Sequence, residues 1–102
     1  MKMIHVEGKI DSIKLGKIAD VLKVISHPIR LEILELLQTM EIISVADIKR
    51  TIMIEQSLLS HHLIKMKDRG VLVSFRKGKH TFYQLAIPEI VSIFDCMRHC
   101  NI

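Results

Sequence analysis

Between residues 54 and 72 the chain reads I-E-Q-S-L-L-S-H-H-L-I-K-M-K-D-R-G-V-L, and its side chains sort by helical phase. Leu59, Leu63 and Met66 stand at i, i+4 and i+7, the apolar stripe of one helix face. Ser57, Ser60, His61, Ile64 and Lys65 fall on the opposite side. Hydroxyls, a carboxamide and imidazoles are short donors and acceptors, suited to base edges in a DNA major groove. Lysine suits phosphate. The expectation is a recognition helix. Gln56, Ser57, Ser60 and His61 would meet base edges, and His62 and Lys65 would meet phosphates. Gly70 follows where a left-handed residue can close a helix.

A second group is cationic. Residues 61–80 contain Lys65, Lys67, Arg69, Arg76, Lys77 and Lys79 against Asp68 alone. The whole chain carries +4, so the remaining residues are close to neutral. A basic block in a neutral chain is the electrostatic footprint of a nucleic-acid binder, whereas the plainer reading is a solvated hairpin. Arg76, Lys77 and Lys79 are the expected phosphate contacts of that block.

The third group is Cys96, His99 and Cys100. On one helix these occupy i, i+3 and i+4, and thiolate plus imidazole suits zinc or another soft divalent metal. A fourth ligand would have to come from elsewhere, from His5 or a partner chain. The same thiols could answer oxidants, although a Cys96–Cys100 disulfide would strain an intact helix. The preferred reading gives these residues no sensing role and the chain no resident metal.

Positioning these groups requires a scaffold. One hundred and two residues suit one domain, here 1–102 with a loose arm at 1–9. Ile18, Val21, Leu22 and Ile25 mark a first helix over 12–25. Pro28 opens a second over 28–38, lined by Ile29, Ile33, Leu36 and Leu37, with Arg30 expected outside. His27 at the junction reads as a local cap rather than a reactive imidazole. Ser44-Val45-Ala46-Asp47 has capping-box spacing ahead of a short helix over 45–52. Short helix, turn and longer helix make a helix-turn-helix. Strands at 71–75 and 81–85 flank a turn at 76–80, a ribbon with a cationic tip. Phe75, Phe82 and Tyr83 are expected to pack that ribbon on the helices.

Pro88 then opens a last, strongly apolar helix. The chain is 49% hydrophobic without tryptophan, more than a small core needs. Ile18 and Val21 of the first helix, with Ile90, Val91, Phe94 and Met97 of the last, are the expected faces of a two-fold dimer. Such a dimer fits a palindromic operator.

Several classes drop out. No apolar run is long enough to span a membrane, and the charged N-terminus does not read as a signal peptide. Two cysteines point to a reduced, cytoplasmic setting. No nucleophile–base pair, phosphate loop or carboxylate dyad has usable spacing, so the chain reads as no enzyme. A winged-helix module that binds protein is the alternative, but its recognition face should be more apolar or acidic than this one.

Three segments resemble ArsR/SmtB-type repressors: Ser26-His27-Pro28-Ile29-Arg30-Leu31, Gln56-Ser57-Leu58-Leu59-Ser60-His61-His62-Leu63, and Arg69-Gly70-Val71-Leu72-Val73 with Arg76-Lys77-Gly78-Lys79 and Tyr83-Gln84-Leu85. The resemblance covers about residues 18–98. It implies a mainly α (α+β) winged helix-turn-helix: four helices, two strands and a fifth helix, dimerising through the first and last. It implies a homodimeric repressor on double-stranded operator DNA, released by an inducer. The family's thiolate pair falls on Ser44-Val45-Ala46 and is absent. Its zinc site on the last helices meets Ile87-Pro88-Glu89 and Cys100, a degraded set.

Overall fold

A computed structural model describes residues 8–102, so most of the expected arm, with His5, lies outside the described residues. Helix α1 (Ser12–Ile25) starts where the Asp11 carboxylate accepts a hydrogen bond from the Lys14 N–H at 2.8 Å. Helix α2 (Pro28–Met40) is capped by His27, whose Nδ1 accepts from the Ile29 N–H at 3.1 Å. It runs two residues beyond the expected end and stops at Glu41, which has positive φ.

Strand β1 (Ile43–Ser44) is an element that period-2 patterning cannot detect, because two residues hold no pattern. Ser44 pairs with the sheet and also caps helix α3 (Val45–Ile52), its Oγ accepting from the Asp47 N–H at 3.1 Å. The reciprocal limb of the capping box is not formed: the Asp47 carboxylate pairs with Arg50. Residues 53–55 then turn the chain through Met53, in the left-handed region at φ 57. Helix α4 (Gln56–Asp68) follows. Its end is a Schellman motif: the Val71 N–H bonds the Met66 carbonyl and the Gly70 N–H bonds the Lys67 carbonyl, with Gly70 at φ 78.

Strands β2 (Leu72–Lys77) and β3 (His80–Leu85) form an antiparallel hairpin, pairing Leu72 with Leu85 through Lys77 with His80. The strands are longer than expected and the turn correspondingly tighter, with Gly78 at φ 63. The sheet order is β1-β3-β2. One turn of 3-10 helix (Pro88–Ile90) leads into the short helix α5 (Val91–Arg98).

The core joins Ile33, Leu34 and Leu37 of α2, Ile48 of α3, Leu59, Leu63 and Met66 of α4, and Val71, Leu72 and Tyr83 beside the sheet. This is the winged helix-turn-helix that the resemblance implies, with the short strand β1 added to the expected two. Two of the expected dimer residues belong to this core instead: Ile90 is 5% and Phe94 4% exposed, packed within their own chain. Ile90 of the 3-10 turn and Phe94 of α5 lie one helical turn apart, and both join the same core cluster as α2, α4 and the sheet. Met97 and Ile18 remain exposed, and Val21 and Val91 half-buried.

The aromatic expectation also needs correction. Tyr83 is buried, but Phe75 is exposed and stacks on Phe82 with ring centroids 5.4 Å apart. Cross-strand register explains it: Ser74 faces Tyr83 on the inner side, so Phe75 and Phe82 share the outer one.

Candidate nucleic-acid interface

The candidate surface is built on α4, whose apolar stripe is fully covered: Leu59, Leu63 and Met66 are all buried. That burial fixes which side chains face outward. Gln56, Ser57, His61 and Lys65 are exposed, and Ser60 is half-exposed. The Gln56 Nε2 donates to the Ser60 Oγ at 3.2 Å, so these two act as one polar strip along an i, i+4 row.

At the helix tip, Glu55 is the N-cap. Its carboxylate accepts from the Ser57 N–H at 3.1 Å and the Leu58 N–H at 3.3 Å. The Ser57 hydroxyl donates to the same carboxylate at 2.6 Å. These bonds, the Ser57 hydroxyl first, hold the Glu55 carboxyl below the usual carboxylate range. Ser57 is therefore occupied in the cap and offers only its lone pairs outward.

Beside α4 stands the hairpin. An open groove of about 370 Å³ runs between them, bordered by Gln56, Ser60 and Ile64 on the helix and Lys79, His80 and Thr81 on the strand side. Helix strip and hairpin tip thus share one concave edge. Arg76, Lys77 and Lys79 are all exposed, without a salt bridge among the described residues. His80 and Thr81 join this edge although no spacing rule selected them. His80 lay at the end of the basic block, and only the tighter turn brings it to the groove.

His62 is corrected. It is 3% exposed and cannot reach a phosphate. Its place three residues after Leu59 and four before Met66 puts it within the apolar stripe, a phase the sequence already contained. Its Nδ1 accepts from the Arg30 Nε at 3.1 Å, and the Arg30 Nη1 donates to the Val24 carbonyl at 2.8 Å. Arg30 is half-buried here, not outside as expected. An Nδ1 acceptor requires the neutral Nε2–H tautomer. That Nε2 is buried without a hydrogen-bond partner. Burial above all, then the neighbouring His27, Arg30 and His61, push the His62 pKa below the ordinary histidine value. The His27 ring lies 4.5 Å away and the His61 ring 5.5 Å away.

The three C-terminal candidates are not gathered into a ligand set. Helix α5 ends at Arg98, His99 is its cap, and Cys100 lies beyond it. Cys96 and Cys100 are free and exposed. Among the described residues no group of three or more His, Cys, Asp or Glu side chains is placed to hold a metal ion. Nor is any helix among them long and apolar enough to cross a membrane.

Residues 27–74 match the model of the family described as bacterial regulatory protein, arsR family. The chain is 32% identical over 95 residues to the transcriptional repressor PagR of Bacillus anthracis, covering 93% of this chain and 95% of that protein. Its structure superposes on the crystal structure of PagR with a TM-score of 0.77 at 30% identity, over 85% of this chain and 99% of that one. The arsenical resistance operon repressor of Staphylococcus xylosus is 35% identical over 69 residues, 68% of this chain and 65% of that protein. At 24% identity, a homodimeric winged helix-turn-helix DNA-binding domain from Mycobacterium bovis shares the fold, with a TM-score of 0.72 over 91% of this chain and 87% of that one.

Proposed function

This chain belongs to the ArsR family of bacterial regulatory proteins, and from that premise we propose a homodimeric repressor that reads a palindromic operator in the cytoplasm. It is a transcriptional regulator with a winged-helix DNA-binding fold. The finer reading concerns which residues do what. Gln56, Ser60 and His61 read base edges, and Ser57 holds the Glu55 cap that fixes the start of the helix. Lys65, Arg76, Lys77 and Lys79 grip phosphates on either side. The observation that carries this is the shared edge: Gln56 and Ser60, on a helix locked by its buried stripe, border one groove with Lys79 and His80 of the hairpin, while Arg76 and Lys77 stand exposed on the same hairpin. The homodimeric M. bovis domain and the exposed apolar residues of α1 support pairing of two copies. Two recognition helices related by a two-fold axis suit half-sites one helical turn apart.

The division of labour is tested by two substitutions in a titrated binding assay. His61→Ala should cost operator binding about 1–3 kcal/mol and leave random duplex almost untouched. Lys77→Ala should weaken operator and random duplex alike and lower the salt slope by about one. Equal losses on both DNAs from both variants would overturn the assignment.

A further inference from the structure

On the flank of α4 away from the hairpin, a second groove of about 330 Å³ opens between three helices. Asp20, Lys23 and Val24 of α1 line it, with Arg30 of α2 and Lys65 and Arg69 of α4. Four cations face one carboxylate, and no lining residue takes part in a salt bridge among the described residues. Arg30 is the fixed member. Its guanidinium is half-buried and held by a neutral imidazole and a carbonyl, neither of which offsets its charge. Two of its five N–H donors are used there, so three remain. A partly desolvated, unpaired guanidinium flanked by three further cations is costly unless an anion joins it.

We propose that this groove is a binding site for a small phosphate-bearing anion. Its volume lies at the lower end of the ~300–1,000 Å³ typical of ligand pockets. A planar guanidinium with free donors, flanked by mobile ammonium groups, matches phosphate oxygens. Backbone phosphate of bound DNA has the same chemistry. The free anion is favoured because the groove is walled by α1 and α2 as well as α4 and no wing residue borders it; Lys65 is the one cation it shares with the DNA contacts assigned above. Occupancy would tie α1 to the recognition helix and so alter operator affinity, a consequence that rests on the repressor reading above.

Inorganic phosphate is the probe, titrated into the full chain at fixed pH with ionic strength held by sodium chloride, and read by backbone amide chemical shifts. Saturable shifts confined to the C-terminal half of α1, the start of α2 and residues 62–70 are expected. The double variant Lys23→Gln, Arg69→Gln should weaken binding roughly tenfold or more, whereas Lys77→Gln should leave it unchanged. Non-saturating shifts, or equal shifts in the double variant with its circular dichroism unchanged, would overturn the site. A loss of random-duplex affinity in the double variant as large as that of Lys77→Gln would make the groove a seat for DNA backbone, which also overturns it. Should the parent chain bind no DNA while phosphate still saturates, the repressor reading fails and the site stands.

Discussion

Helices α1 and α4 both carry apolar stripes, and the two stripes meet different surroundings. In α4, Leu59, Leu63 and Met66 are sealed by α2, α3 and the sheet. In α1 only Ile25 of the stripe is buried; Val21 is half-buried, and Ile18 is 37% and Leu22 44% exposed. The same local signal therefore marks a protomer core in one case and an uncovered surface in the other. A stripe shows that a face wants to leave water. It does not show whether the cover comes from the same chain.

The sharpest separation of the two is a pair of truncations. Leu63→Ala opens a cavity in a site with no room to collapse, and should cost about 2–5 kcal/mol in urea unfolding. Leu22→Lys should spare the fold, because Leu22 is 44% exposed in the protomer and lies outside its buried core. Its effect falls on association instead. Sedimentation at micromolar concentration should shift from dimer to monomer, a loss of dimer affinity of at least roughly tenfold. Operator affinity should fall with it. If Leu22→Lys unfolds the chain as Leu63→Ala does, or leaves the dimer intact, the contrast between the two helices disappears.

Much of this was legible in residues alone. The start of α3 at Ser44 and the end of α4 at Gly70 were set by residue types that their positions suggest, whereas the Asp11 cap of α1, the left-handed Met53 that ends α3 and the Glu55 cap of α4 were not singled out. What escaped was whatever depends on partners distant in sequence. The helical phase of His62 already pointed inward, but the partner that satisfies its buried Nδ1, Arg30, lies thirty-two residues earlier. Ile90 and Phe94 looked surplus to a full core, but nothing local says that the 3-10 turn and α5 direct these two inward. Strand β1 exists only because β3 is there to pair with it. On the face of α4 toward the hairpin, residue types named the polar strip, while His80 joins it through the tight turn at Gly78.

The smallest predicted effect sharpens the comparison from within α4. His62 is held neutral in the folded chain, with its pKa below the ordinary value because it is buried. The unfolded chain takes up that proton near pH 6.5. Above this pH neither state binds it, and His62 adds no pH dependence. As the pH falls through about 6.5 the unfolded state binds the extra proton first, so stability declines until the depressed native pKa is reached. The slope is at most about 1.4 kcal/mol per pH unit. Unfolding midpoints measured between pH 7.5 and 5 should fall more steeply in the parent chain than in His62→Gln. In that variant the glutamine carbonyl can still accept from Arg30, but no proton is gained. The Leu22→Lys variant should keep the parental slope, since its change lies on the uncovered helix. A slope that vanished in Leu22→Lys and survived in His62→Gln would place the titrating group at the α1 surface, and His62 would lose its role as the proton-sensitive joint between α2 and the recognition helix.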